Sequence, residues 1–135
     1  WGQQFIKVYQ EQHLNPNQHH DLKFILFYLC IMKLVIKKSN KAGKRLMAVF
    51  STEGKEKGKK DKTIHFGLKN PKIGTFIDTG RKDLRKAYIA RHEVNEKKFY
   101  NDPQRAATLS RFILWGETDS LKKNIELYKK KFNLD

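Results

Sequence analysis

The spacing of apolar residues changes once along this chain, and that change fixes most of what the chain can fold into. From Arg45 to Thr52, Leu46, Ala48 and Phe50 share one side while Met47 and Val49 share the other, and Lys62 to Leu68 repeats the alternation with Ile64, Phe66 and Leu68. A period of two is that of a half-buried strand, so the two segments predict a hairpin. Lys33 to Lys37 reads as a further strand, with a polar turn over residues 39–44. Residues 70–80 hold a proline and two glycines and read as a loop, or as a short extra strand around Thr75, Phe76 and Ile77.

Beyond Gly80 the period becomes 3.6. Lys82 to Glu96 predicts a helix capped by Asp78 or Thr79, with Leu84, Ala87 and Tyr88 along one side and Arg91 as a candidate fourth member of that stripe. Asp102 followed by Pro103 signals a second helix, running through Ala106, Leu109, Phe112, Ile113 and Trp115 to a stop at Gly116. A third starts near Thr118 or Ser120 and repeats Leu121, Ile125, Tyr128 and Phe132 along one stripe. Strands first and helices afterwards predict an α+β fold, a small antiparallel sheet of about three strands followed by three packed helices.

Charge divides the chain at a different place. Residues 1–31 carry Lys7 and Lys23 against Glu11 and Asp21, so the whole formal charge of +15 belongs to residues 32–135. Five of the six glutamines and three of the five histidines also precede Met32. Residues 1–31 therefore read as an upstream extension, a translated leader or family-specific segment, and residues 32–135 as a single basic domain. The apolar run from Phe24 to Met32, reaching Ile36 at most, falls short of the ~20 residues that span a bilayer as a helix, so no membrane span is expected. Cys30 is the only cysteine, which forbids an intrachain disulfide and suits a reducing, intracellular compartment.

So large a positive field attracts polyanions. Its densest stretch runs from Lys37 to Lys62, where Lys37, Lys38, Lys41, Lys44, Arg45, Lys55, Lys57, Lys59, Lys60 and Lys62 face only three acidic residues. Residues 53–61 have no apolar anchor and read as a flexible Gly/Lys loop. Arg81, Lys82, Arg85, Lys86 and Arg91 form a second group on the first helix. Together these fifteen residues are the candidate contacts to nucleic-acid phosphates. The same lysines would also serve simply to keep a sheet edge soluble.

Four strings carry a resemblance: KKSNKAGKRLMAVF (37–50), KTIHFG (62–67), DLRKAYIARH (83–92) and NDPQRAATLSRFILWG (101–116). In this order they resemble a family of small basic proteins of large nucleocytoplasmic DNA viruses and some large phages, over about residues 32–132. The segment after Thr52 and the stretch 69–80 are longer here than in that pattern, and no role is carried onto them. The family has no established activity, so the resemblance implies a viral setting, in the virion or the infected cell, and a shared fold.

Enzymatic chemistry finds little support in the residues. Gly54 to Lys60 has three residues between its glycines and no Ser/Thr after the lysine, so it is no P-loop, and no GxGxxG, GxSxG or HExxH string occurs. The expectation is a protein that is not an enzyme, with no metal and no cofactor. Phe50, Phe66, Phe112, Tyr128 and Phe132 fall on core stripes, which argues against base stacking, and His65 is expected on the exposed face of its strand. The expected partner is DNA or RNA gripped by its phosphates. A structural module binding an acidic protein partner, such as a virion component, and an rRNA-contacting ribosomal accessory protein share the same charge logic.

Overall fold

A computed structural model of the chain describes residues 32–52 and 61–135. The upstream segment 1–31 and the Gly/Lys segment 53–60, with its candidate residues Lys55, Lys57, Lys59 and Lys60, lie outside the described residues. Three strands form an antiparallel sheet in the order β1 (Met32–Lys38), β2 (Lys44–Thr52), β3 (Lys62–Leu68). The alternation sets the register. Leu34 lies opposite Phe50, Ile36 opposite Ala48, and Leu46 opposite Phe66, so each strand delivers its apolar set to one face. Leu34, Leu46, Ala48, Phe50 and Phe66 are buried there, and burying a side chain the size of Phe66 contributes about 2–3 kcal/mol. Gly43, at a φ of 77°, closes the β1–β2 turn in a conformation that costs a Cβ-bearing residue dearly.

Four helices follow the sheet among the described residues, one more than the three expected. The extra one is α1 (Phe76–Thr79), where a loop or strand was the expectation. Its origin is a reciprocal cap: Asp78 accepts the Thr75 N–H at 2.8 Å while the Thr75 side chain serves the first turn, and Gly80 ends the helix in the left-handed region. α2 (Lys82–Glu96) has the predicted bounds, but Arg81 stands at its cap and the Thr79 hydroxyl accepts the Arg81 N–H. Leu84 and Tyr88 of the predicted stripe pack on the core, and Ile89 joins them in place of Ala87 and Arg91. Tyr88 is buried and stacks on Trp115 at 4.3 Å and on His92 at 4.0 Å, while Ala87 and Arg91 are exposed. A 3₁₀ turn, Lys97–Phe99, continues α2.

The second predicted helix begins later than its Asp-Pro signal. The Asp102 carboxylate accepts the Gln104 N–H at 2.9 Å and the Arg105 Nε–H at 3.2 Å, and the Pro103 carbonyl accepts the Tyr128 hydroxyl at 2.6 Å. These bonds hold residues 102–104 in a turn. α3 then runs from Ala106 to Leu109 and widens into a π-helical turn, Ser110–Leu114. Gly116 follows the turn and is pressed between elements: a Cβ there would run into the Phe112 carbonyl oxygen and lie 2.8 Å from the Asn124 side chain. α4 (Leu121–Lys131) opens on Ser120, whose hydroxyl accepts the Lys123 N–H. Tyr128 is buried on the predicted stripe, with Leu121, Ile125 and Phe132 packed around the core.

Asn124 lies on the same face of α4, fully buried. Its amide donates to the Ile113 and Thr118 carbonyls at 2.8 Å each, and its oxygen accepts the Thr118 N–H and hydroxyl. Full satisfaction of this kind is what lets a polar side chain sit in a core. It ties α4 to the end of the π turn. No helix among the described residues is long and apolar enough to cross a membrane.

Candidate polyanion-binding surface

The sheet and the helices differ sharply in charge. Across residues 32–52 and 62–68 stand Lys33, Lys37, Lys38, Lys41, Lys44, Arg45 and Lys62, with no aspartate or glutamate. Apart from Asp61, the carboxylates of the described residues belong to residues 78–135. Asp78 and Asp135 are brought to the sheet from elsewhere in the chain, the first pairing with Arg45, and the lysines of the sheet are left to solvent ions or an anionic partner.

The structure gathers part of the candidate set and disperses the rest. Lys37, Lys38, Lys44 and Arg45 come together around a groove of about 880 Å³ at the β1–β2 turn end of the sheet. Lys69, which sequence reasoning omitted, joins them because its N–H bonds to the Gly43 carbonyl at 3.1 Å and carries the chain back beside the turn. The antiparallel register held the signal for Lys69, since the residue after β3 must return to the start of β2. The groove has an aliphatic floor in Ile36, Leu46, Leu121 and Ile125. Lys41 is exposed on the turn itself. Lys62 lies opposite Phe50, whereas Lys44 lies opposite Leu68, so Lys62 stands at the other end of the sheet. Successive turns of a meander alternate ends, and one continuous footprint over the run 37–62 is therefore not formed by the described residues.

Two of the arginines are engaged in holding the fold. Arg45 grips Asp78 through two hydrogen bonds, at 2.7 and 2.6 Å, and so fixes α1 against β2. The hydrogen bond from Arg45 holds the Asp78 carboxyl well below the usual carboxylate range, helped by the bonds from Thr75, and the same pair raises the Arg45 guanidinium. Arg85 donates to the Gly116 carbonyl at 2.8 Å and lies over the Phe76 ring, which clamps α2 to the segment after the π turn. Arg81 pairs with Asp83 on the exposed start of α2, and that pairing lowers the Asp83 carboxyl. Lys82 and Lys86 are exposed one turn apart, whereas Arg91, nine positions beyond Lys82, projects about half a turn round the helix. The α2 group is thus two lysines on one face, with Arg91 on another.

His65 is half-buried, bonded through Nδ1 to the Ser39 hydroxyl at 2.7 Å, and its place is to brace the β1–β2 turn. Phe50, Phe66 and Tyr128 lie in the core, and burial pushes the Tyr128 phenol upward. Trp115 is buried as well. Among the described residues no cluster of three or more His, Cys, Asp or Glu side chains is placed to hold a metal ion.

The model of a family of unknown function (DUF5754) matches residues 34–92, from within β1 into the second half of α2, and so takes in the basic sheet except Met32 and Lys33, together with α1 and the Arg45–Asp78 contact. No curated protein matches the chain. No solved structure matches it either.

Proposed function

We propose that this protein is a non-enzymatic accessory protein that binds nucleic acid independently of sequence, through phosphate contacts made by the turn end of its sheet. The observation that carries this reading is the carboxylate-free sheet, whose Lys37, Lys38, Lys41 and Lys44 converge with Lys69 at one end and have no ion-pair partner among the described residues. Lysine ammoniums neutralise phosphates as point charges and read little base identity, and the burial of Phe50, Phe66 and Tyr128 removes the aromatics that would stack on bases. The resemblance to small basic proteins of large DNA viruses supports a viral setting, with the virion or the infected cell as its place of action.

Fluorescence anisotropy with mixed-sequence duplex DNA, single-stranded DNA and RNA, each over a salt series, tests the reading. Binding to unrelated sequences that weakens steeply as salt rises is the expected result. Absence of binding at low salt would overturn it.

A further inference from the structure

The groove at the turn end of the sheet has features that phosphate binding does not require. In β1 the backbone groups of odd-numbered residues serve the ladder with β2, as the bond from the Ser39 N–H to the Arg45 carbonyl at 3.1 Å shows. Those of even-numbered residues point to the outer edge. There the Asp135 N–H donates to the Met32 carbonyl at 2.9 Å and the Leu34 N–H donates to the Asp135 carbonyl at 2.8 Å, so residue 135 lies beside the start of β1 like a one-residue parallel strand. Further along the same edge, the N–H and C=O of Ile36 and Lys38 have no partner among the described residues. An open edge of this kind is a template for another strand.

Ile36 and Lys38 also line the groove. Its floor is aliphatic, made by Ile36, Leu46, Leu121 and Ile125, and its rim carries Lys37, Lys38, Lys44 and Lys69. The single carboxylate on the rim, Asp78, is already taken by Arg45. On the adjoining segment Leu68 and Ile73 are 65 and 67 % exposed, large values for aliphatic side chains. Open strand edge, aliphatic floor and unpaired cations therefore meet at one place.

We infer that this edge and groove receive an extended segment of a partner protein in which acidic and aliphatic residues alternate. The segment adds to β1 alongside Ile36 and Lys38, with main-chain bonds giving register, the aliphatic side chains entering the groove beside Ile36 and Leu46, and the carboxylates, on the other face of the added strand, meeting Lys37. A nucleic acid satisfies the lysines but has neither a main chain of alternating N–H and C=O groups to extend the edge nor aliphatic side chains for the floor. This reading stands independently of nucleic-acid binding, though the two ligands would compete for Lys37.

Labelled short peptides of alternating Glu and Val, titrated into the full chain, provide the test. One is unmodified, one is N-methylated at the valines and one at the glutamates. Only one of the two methylated sets faces β1, so one peptide should lose about tenfold or more in affinity and the other should stay within about twofold of the unmodified peptide. The variant Lys37→Gln should weaken the unmodified peptide, and a photo-crosslinker on that peptide should label residues 36–39. Equal binding by both methylated peptides would reduce the contact to charge alone and overturn the inference. So would an oligonucleotide that crosslinks at residues 36–39 where the peptide does not.

Discussion

Asn124 offers the sharpest test of how the helices are held over the sheet. It is 0 % exposed and makes four hydrogen bonds, two from its amide to the Ile113 and Thr118 carbonyls and two to its oxygen from Thr118. It sits between Leu121 and Ile125, so the bonds that anchor it also place the helical wall of the groove. Each bond is worth about 1 kcal/mol net, and of the partners left behind in Asn124→Ala the Ile113 carbonyl is buried while Thr118 is half-buried, so the loss should reach about 3 kcal/mol. For a domain of this size that lowers the unfolding midpoint by more than roughly 10 °C. Asn124→Asp keeps the shape but turns a carboxylate oxygen toward two carbonyls. Burial and those carbonyls disfavour the ionised form, so the folded-state pKa of the new carboxyl lies above its unfolded value. Its stability deficit relative to wild type should be smallest below about pH 4 and should grow as pH rises through the raised folded value. Thermal and urea unfolding followed by circular dichroism, with wild type measured at each pH, reads both effects. An alanine variant within about 1 kcal/mol of wild type, or an aspartate deficit that does not change with pH, would refute the reasoning.

Further outcomes follow from the other anchoring contacts. Because the folded-state pKa of Asp78 is depressed, the Arg45–Asp78 contribution is present above the ordinary carboxylate range and is lost as pH falls through the folded value. The pair is partly exposed, so that loss should amount to about 1 kcal/mol, and Asp78→Asn should be missing it when unfolding free energies are compared over an acid pH series. Gly116→Ala should destabilise by about 2 kcal/mol or more, measured by urea unfolding, since the new methyl meets the Phe112 carbonyl and Asn124. Tyr128→Phe removes the 2.6 Å bond to the Pro103 carbonyl and should cost about 1–2 kcal/mol in the same assay.

The sheet and α4 were legible in the sequence because their apolar residues repeat at one period and nothing nearby competes with it. Leu46, Ala48 and Phe50 alternate without interruption, and Leu121, Ile125 and Tyr128 follow a clear cap at Ser120. Where reading by pattern failed, a side-chain bond had outweighed the pattern. The Asp102-Pro103 start signal is spent on a turn because the Tyr128 hydroxyl and Gln104 claim its groups, and α1 exists because Thr75 and Asp78 cap each other three residues apart. The buried side of α2 turned away from Ala87 and Arg91 because Tyr88 stacks on Trp115 and Arg85 reaches the Gly116 carbonyl. Asn124 was missed because a polar residue on an apolar stripe gives no sign of its partners. At the candidate surface, counting charge along the chain found the lysines of the β1–β2 turn but merged the two ends of the sheet. Strand register separates Lys62 from Lys44 and brings in Lys69, which a count over residues 37–62 leaves out.

The central claim, that the turn end of the sheet binds nucleic-acid phosphates, is tested most directly by the salt dependence of duplex binding in wild type and in a Lys37→Gln/Lys38→Gln/Lys44→Gln variant. Each engaged lysine contributes about 0.9 to the slope of log affinity against log salt concentration, so the triple variant should bind more weakly with a slope shallower by about 2–3. A slope and affinity equal to those of wild type would contradict the account.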